Sequence, residues 1–298
     1  MLHLQDDEAS VVVTPEHGGA VLGWMHNRTP VLRRPVPDAM LRGDVRGFGC
    51  FPLVPFCNRI ALGRFTWQGR AYQLARNFGD HPHAIHGVGW QRPWRIGAVS
   101  NLAASLTLRH DAAGDQARAW PFPFDAALSY TLSNTQLRIV ISVTNRHSDP
   151  APAGIGLHPY FGRRSGITLQ FNAGGVWING GSALPAQHAG VPREWDHANG
   201  LPIGGARLDN CFTGWSSTAR IGGILGGVTL TADAAFRHLQ VYTPPHHDFF
   251  CAEPVSHVPD AINRTDLPSG QGMHVLPPSE TLSGSVTIDL ALHGMGAI

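Results

Sequence analysis

Apolar and polar residues alternate along much of the chain with the period of two that β-strands require. In "FDAALSYTLS" (124–133) the apolar positions share one face, and polar or smaller residues share the other. "LRIVISVTN" (137–145) repeats this pattern. The dipeptide Asn134-Thr135 between the two segments predicts a hairpin turn that joins antiparallel strands.

The same alternation recurs in "GITLQFN", "GGVTLTAD" and "HLQVYTPP", and the connecting segments hold many of the 35 Gly and 23 Pro residues. No long segment has convincing helical periodicity. The pattern therefore predicts an all-β protein with little helix, built as a large antiparallel β-sandwich or barrel. No repeat or low-complexity linker divides the chain, so we expect a single domain over residues 1–298.

Composition narrows the functional classes. The formal net charge of +1 gives no electrostatic reason to expect a nucleic acid or an anionic membrane as partner. Lysine is absent, and all 22 basic residues are arginine. The chain therefore has no residue for a Schiff base, for lysine-bound pyridoxal phosphate or for the lysine of a P-loop.

Cysteine use and the N-terminus bear on the cellular compartment. The four cysteines form no C-x-x-C pair, and "MLHLQDDEAS" lacks the basic start and apolar run of a signal peptide. No stretch approaches the length of a membrane span. We therefore expect a reduced, cytoplasmic setting in which the cysteines are core residues.

Histidine is abundant, with 17 in the chain, so a single histidine carries no functional argument. "HPHAIHGVGW" offers His81, His83 and His86, a set that zinc or iron could use. The cupin pattern, however, requires a glutamate three or four residues after the second histidine, where this chain has His86 and Gly87. We therefore expect no metal site.

General acid–base chemistry remains, and it needs a proton-accepting carboxylate and a proton donor. Glu253 follows the apolar "FFCA" and precedes a proline, so partial desolvation should raise its proton affinity. Histidine titrates near neutral pH and is the natural partner. Residue chemistry alone does not choose between His86 and His158 for that role.

Five motifs together resemble the aldose 1-epimerase (galactose mutarotase) family, in that family's order, and the resemblance covers essentially the whole chain. "HPYF" combined with the later Glu-Pro-x-x-His is the more specific part of this resemblance. The motifs are "NRI" (58–60), "HGVGW" (86–90), "GLHPYF" (156–161), "LDNCF" (208–212) and "AEPVSHVPDAIN" (252–263).

The resemblance implies a galactose mutarotase-like β-sandwich with a sugar site on one sheet face. It also implies interconversion of the α and β anomers of a free aldose by ring opening and reclosure, without cofactor or metal. Glu253 matches the family's base, and His158 matches its acid. The expected sugar-binding residues are Asn58, Arg59, His86, Trp90 and Asp209, although Trp90 is equally compatible with a core position.

The expected partner is therefore a monosaccharide, bound by a monomer or homodimer, with neither nucleic acid nor membrane involved. Three alternatives stay open. Arginines near the motifs, such as Arg163 and Arg164, are compatible with a hexose-6-phosphate 1-epimerase on the same fold. A non-catalytic carbohydrate-binding domain is the second alternative, and a metal-dependent enzyme on a cupin-like barrel is the third.

Overall fold

Strands dominate the computed structural model, which describes residues 1–204 and 207–291. Residues 205–206 and 292–298, included in the single-domain prediction, lie outside the described residues. In chain order the strands are β1 (Leu2–Asp6), β2 (Ala9–Thr14), β3 (Ala20–His26), β4 (Thr29–Pro30), β5 (Cys50–Leu53), β6 (Arg59–Ile60), β7 (Arg64–Trp67), β8 (Arg70–Gln73), β9 (Ala84–Ile85), β10 (Arg95–Val99), β11 (Ala103–His110), β12 (Phe124–Leu132), β13 (Gln136–Asn145), β14 (Ala151–Ala153), β15 (Gly156–Gly162), β16 (Thr168–Phe171), β17 (Gly175–Asn179), β18 (Pro185–Ala189), β19 (Leu201–Pro202), β20 (Asp209–Thr213), β21 (Thr218–Gly222), β22 (Val228–Ala232), β23 (His238–Tyr242), β24 (Phe249–Val255), β25 (His274–Leu276) and β26 (Thr281–Leu290).

Helices are short, as the absence of helical periodicity predicts. The α-helices are α1 (Ala39–Arg42) and α2 (Asp115–Ala119). Single 3₁₀ turns occur at Val45–Gly47, Ala61–Gly63, Gly89–Gln91, Arg193–Trp195, His197–Asn199 and Ala261–Asn263. No helix within the described ranges is long and apolar enough to cross a membrane.

Two large antiparallel sheets form the fold and confirm the predicted β-sandwich. The larger sheet has the order β1-β2-β3-β5-β15-β24-β23-β20-β17-β18, with β4 paired to β3. The second sheet has the order β10-β11-β12-β13-β26-β22-β21-β16-β19. Its β12–β13 hairpin is the predicted one, with Leu132 paired to Leu137 at the turn.

The main core contains alternating side chains from both sheets. Val11 and Val13 of β2 belong to the same buried cluster as Leu128 and Leu132 of β12. The hydroxyl of Tyr130, on the same face of β12, donates a hydrogen bond to the carbonyl of Gly19 and so joins the two layers. At about 25 cal/mol per Å² of buried apolar surface, this core is the main stabilising term of the fold.

Alternation along β15 and β24 also determines where the polar motifs lie. Leu157 of β15 and Phe250 of β24 point into the main core. His158 and Glu253 therefore project from the opposite face of the larger sheet, away from the second sheet. A second buried cluster, which includes the ring of Phe51, covers this outer face.

The cysteines are free and buried, which confirms their predicted place in the core. Cys50 belongs to the main core, whereas the other three belong to the outer cluster. Burial raises the pKa of each thiol above its usual value, so the neutral thiol is the stable form. The other three are Cys57, Cys211 and Cys251.

Candidate active site

The register of β15 and β24 brings His158 and Glu253 together. The two residues face each other between the flanking register pairs, and they lie on the same sheet face. Nε2 of His158 lies 3.3 Å from Oε1 of Glu253. The side chains are only 8% and 3% exposed, so the contact is almost completely shielded from water. The flanking pairs are Gly156 with Val255 and Tyr160 with Cys251.

Aromatic rings hold the imidazole of His158. Its ring stacks with Phe51 of the neighbouring strand at 4.5 Å between centroids and with Tyr160 at 4.7 Å. The guanidinium of Arg33 lies 4.0 Å from the centroid of the Tyr160 ring on which it packs. These contacts leave His158 little freedom to rotate away from Glu253.

The same burial changes the acidity of both groups. It lowers the pKa of His158 to about 3, with the Arg33 cation adding to the effect. It raises the pKa of Glu253 well above its usual value, as predicted from the apolar flanks; the Asp209 charge adds to the shift and Arg59 opposes it. Both shifts favour the uncharged forms of the two groups, a neutral imidazole and a carboxylic acid, over an ion pair.

Each residue of the pair also has one atom whose hydrogen-bonding capacity is unused. Oε2 of Glu253 and Nδ1 of His158 are buried and have no hydrogen-bond partner among residues 1–204 and 207–291. Unsatisfied buried polar atoms cost about 1–3 kcal/mol each, so their presence together points to a ligand-binding or catalytic role.

Asp209 is fixed by two donors beside this pair. Its Oδ2 accepts a hydrogen bond from Nη2 of Arg59 at 2.8 Å, and its Oδ1 accepts one from Nε2 of Gln240 at 2.8 Å. Gln240 lies directly opposite Glu253 in the β23–β24 register. The carboxylate is thereby held as an oriented acceptor whose remaining lone pairs can accept hydrogen bonds from a ligand hydroxyl.

A tight loop positions Arg59. Asn58 has a left-handed backbone with φ of 54°. Its Oδ1 accepts hydrogen bonds from the backbone N–H of Arg59 at 2.9 Å and from its Nη1 at 3.2 Å. Asparagine tolerates this conformation better than most residues, which explains why it precedes the arginine.

His86 differs chemically from His158. Its Nδ1 accepts a hydrogen bond from the backbone N–H of Asn58 at 3.2 Å, and burial lowers its pKa well below the usual value. The neutral ring therefore carries its proton on Nε2, where it serves as a hydrogen-bond donor. His158 is the histidine whose ring contacts Glu253, so it is the better placed of the two for proton exchange with that carboxyl group.

Trp90 is buried beside the pair. Its Nε1 donates a hydrogen bond to the carbonyl of Gly87 at 3.2 Å, and its ring stacks with Phe51 at 5.7 Å. The ring therefore belongs to the packed outer cluster and at the same time forms part of a cavity wall.

All seven residues predicted for catalysis or sugar binding line one cavity of about 280 Å³. Sequence reasoning missed other lining residues, among them Phe51, Tyr242 and Arg46. Tyr242 alternates with core residues along β23. This alternation was the signal that could have placed Tyr242 on the outer face of the larger sheet. The seven predicted residues are Asn58, Arg59, His86, Trp90, His158, Asp209 and Glu253.

The histidines considered as metal ligands lie in different environments. His81 lines the cavity, with Nε2 3.5 Å from Nε of Arg59. His83 bonds the chain through both ring nitrogens, accepting from the N–H of Leu62 at 3.0 Å and lying 3.1 Å from the carbonyl oxygen of Ser182. His83 is therefore a structural residue, and its nitrogens are not directed at those of His86.

Comparison with known proteins identifies the family of this chain. The aldose 1-epimerase family model matches residues 1–289. The chain belongs to the aldose 1-epimerase family. Uncharacterized protein YphB of Escherichia coli (strain K12) is 31% identical over 283 residues, which span 92% of this chain and 93% of that protein.

Solved structures support the fold of this family member. A crystal structure of a proposed aldose 1-epimerase from Escherichia coli K12 superposes with a TM-score of 0.87 at 28% identity, covering 98% of this chain and 99% of that one. A galactose mutarotase-like protein from Clostridium acetobutylicum has a TM-score of 0.83 at 19% identity, covering 97% and 95%. The latter similarity concerns the fold alone. Membership of the family supports an enzyme of the isomerase type.

Proposed function

We propose that this aldose 1-epimerase family member is a mutarotase that interconverts the α and β anomers of a free aldose. The observation that carries the proposal is the buried contact between His158 and Glu253 on the wall of a monosaccharide-sized cavity. The anomeric hydroxyl and the ring oxygen are both bonded to C1 of the sugar. An acid and a base that act on them must therefore lie side by side, as these two residues do.

The reaction balances with one proton on the pair. The carboxylate of Glu253 takes the proton of the anomeric hydroxyl, while the C1–ring oxygen bond breaks and its electrons go to the ring oxygen. Nε2 of His158 donates a proton to that oxygen, which gives the open-chain aldehyde. Rotation about C1–C2 and reversal of both transfers close the ring on the other face, so acid and base exchange roles within each turnover.

Transfer of a proton from Glu253 to His158 across the 3.3 Å contact would convert the uncharged form of the pair into the ion pair that this reaction uses. Contacts of this length are common in ligand-free sites and tighten when the substrate binds. Asp209, Arg59 and Nε2–H of His86 supply an acceptor and donors for the sugar hydroxyls.

The charge balance of the cavity favours a neutral sugar over a sugar phosphate. Arg59 is paired with Asp209, and Arg46 forms two hydrogen bonds with Asp44, at 2.6 and 2.7 Å. Neither arginine therefore offers the unpaired guanidinium that phosphate recognition uses. A purely sugar-binding domain has no need of a buried, under-satisfied acid–base pair, and this favours catalysis over binding alone.

Anomer exchange measured by NMR with α-galactose, α-glucose, L-arabinose and glucose 6-phosphate tests the proposal. We expect saturable exchange of at least one neutral aldose and a lower kcat/KM for the phosphate. Glu253→Gln and His158→Asn should each lower kcat by about 10²–10⁴-fold. Glu280→Gln, an exposed glutamate, is the matched control and should retain full activity. Near-normal turnover by Glu253→Gln would refute the assignment.

A further inference from the structure

The candidate active site contains a cysteine, Cys251, that the proposed reaction does not use. Cys251 lies two residues before Glu253 on β24, so both side chains project from the same face. Its thiol, a ring nitrogen of His158 and a carboxylate oxygen of Glu253 all lie within 4.8 Å of one another. Within residues 1–204 and 207–291 this is the one such group of three potential metal ligands.

We propose that Cys251, His158 and Glu253 form a Zn²⁺ site that competes with the sugar. Binding of the ion displaces the thiol proton of Cys251, and any proton that the His158–Glu253 pair carries, to water. Sulfur, imidazole nitrogen and carboxylate oxygen are the three ligand types of zinc, and three protein ligands with one open position are typical of non-structural zinc sites. The open position here faces the cavity, because His158 and Glu253 line it.

The spacing suits this ion. Tetrahedral zinc with bonds of about 2.0–2.3 Å places its ligand atoms about 3.5 Å apart. The His158–Glu253 contact already has a length of 3.3 Å, and the thiol needs to approach by about 1.3 Å at most. The buried, unpartnered Oε2 of Glu253 is an independent sign of unused bonding capacity at this point.

The same geometry predicts an exchangeable ion rather than a permanent one. Histidines that bind zinc usually donate their other ring N–H to a carbonyl or carboxylate, which strengthens binding. Nδ1 of His158 has no such partner in the part of the chain that the structure describes. A chelator should therefore remove the ion without unfolding the protein.

Occupation by Zn²⁺ would use the nitrogen and the oxygen that move protons in the proposed reaction. Inhibition of mutarotation, competitive with the aldose, is thus expected; this consequence rests on the proposed function, whereas metal binding does not. Zn²⁺ binding can be measured on the intact protein without any turnover, so the metal site and the proposed function can be refuted separately.

The direct test uses full-length protein freed of metal with a chelator and titrated with Zn²⁺ against a chromophoric competitor. We expect one equivalent to bind, and Co²⁺ in its place to give the near-ultraviolet thiolate-to-metal charge-transfer band. Cys251→Ser should abolish the band and weaken Zn²⁺ binding by at least about tenfold. Cys211→Ser is the matched control, a buried cysteine of the same outer cluster that is not in the ligand group, and it should retain both.

Several outcomes would refute the proposed Zn²⁺ site. Absence of stoichiometric Zn²⁺ binding would do so, and so would a Cys251→Ser protein that keeps the band. If Cys251→Ser fails to fold by circular dichroism, Glu253→Gln removes a different ligand and should weaken Zn²⁺ to the same degree. Zn²⁺ that binds at one equivalent without slowing mutarotation would refute the competition. A metal-free protein without mutarotase activity would refute the proposed function and leave the metal site standing.

Discussion

Nη2 of Arg59 lies 2.8 Å from Oδ2 of Asp209, although the two residues are 150 positions apart in the chain. Their side chains are 13% and 29% exposed, so the pair is partly desolvated at the cavity wall. A pair in this position fixes at once two of the groups that we propose bind the sugar, and it also cancels the charge of the arginine. It therefore bears on both the affinity and the charge preference of the site.

Asp209→Asn should raise KM for neutral aldoses by about tenfold with a smaller change in kcat, because an oriented acceptor and a charge-assisted hydrogen bond are lost. Glucose 6-phosphate should gain relative to the neutral sugars, since Arg59 becomes an unpaired cation. Asp209 also raises the pKa of Glu253, so its neutralisation should move the acid limb of the pH profile to lower pH.

Asp111→Asn is the control for that experiment. Asp111 pairs with Arg109 at 2.7 Å, but both side chains are more than half exposed, and neither lines the cavity. Exposed ion pairs contribute little, so its kinetic constants should match those of the unmodified protein. An Asp209→Asn protein with unchanged KM and an unchanged pH profile would contradict the role given to the pair.

Burial of Glu253 should make the His158–Glu253 pair a source of instability. The unfolded chain releases this proton near pH 4.5, its ordinary value, whereas the folded protein keeps it to higher pH. The folded state then binds more protons, so the free energy of unfolding falls as pH rises through this window. Glu253→Gln removes the effect, and its Tm should exceed that of the unmodified protein by at least about 2 °C at pH 8.

The difference in Tm should shrink toward pH 4.5. There the unfolded unmodified chain increasingly carries a proton on Glu253, so it is uncharged at this position, as the amide of the variant is at every pH. Calorimetry at several pH values checks the trend, with Glu280→Gln as the exposed control. A difference that stays constant with pH, or grows under acid conditions, would show that desolvation of the carboxyl group is not its cause.

Much of this architecture could be predicted from local pattern. Alternation over 124–145 predicted β12, β13 and their turn, because a strand with one buried face imposes period two on its own sequence. The apolar flank of Glu253 likewise predicted its desolvation. Both are properties of short segments, so they are visible without knowledge of the tertiary fold.

The rest depends on contacts between distant segments. The preference for His158 over His86 in the proposed reaction rests on the register of β15 against β24 and on the hydrogen bond that occupies Nδ1 of His86. Gln240 escaped notice because its importance comes from lying opposite Glu253. Cross-strand neighbours of this kind are set by topology, which no single segment encodes.

Asp260 should act as a positioning residue for Arg59. It adopts a left-handed backbone with φ of 56° and donates its N–H to the carbonyl of Arg59 at 2.8 Å. Its Oδ1 accepts from the N–H of Ala61 at 2.9 Å and from Nδ2 of Asn263 at 2.7 Å. Asp260→Ala loses both acceptor bonds and strains the backbone, which should cost about 2 kcal/mol of stability.

The kinetic signature should be a rise in KM of several fold with kcat nearly unchanged, because Arg59 loosens while His158 and Glu253 stay in place. Asp260→Asn keeps Oδ1 and tolerates the left-handed backbone, so it should restore KM. A loss confined to kcat, or a failure of Asn to rescue, would argue against positioning through Arg59.

Gly87→Ala should disrupt the turn that presents His86 and Trp90 to the cavity. Gly87 has φ of +70°, and an added Cβ would overlap the backbone carbonyl of Val54, which cannot move aside as a side chain can. Gly79→Ala provides the matched control, since its φ of +52° is strained in the same way but its Cβ would meet nothing within 4 Å. We expect a cost of about 1 kcal/mol for the control and at least about 3 kcal/mol for Gly87→Ala in denaturant unfolding. Mutarotase activity per folded molecule should fall only in Gly87→Ala, because only there does the backbone beside His86 shift, and equal effects of the two substitutions would show that backbone strain alone governs this turn.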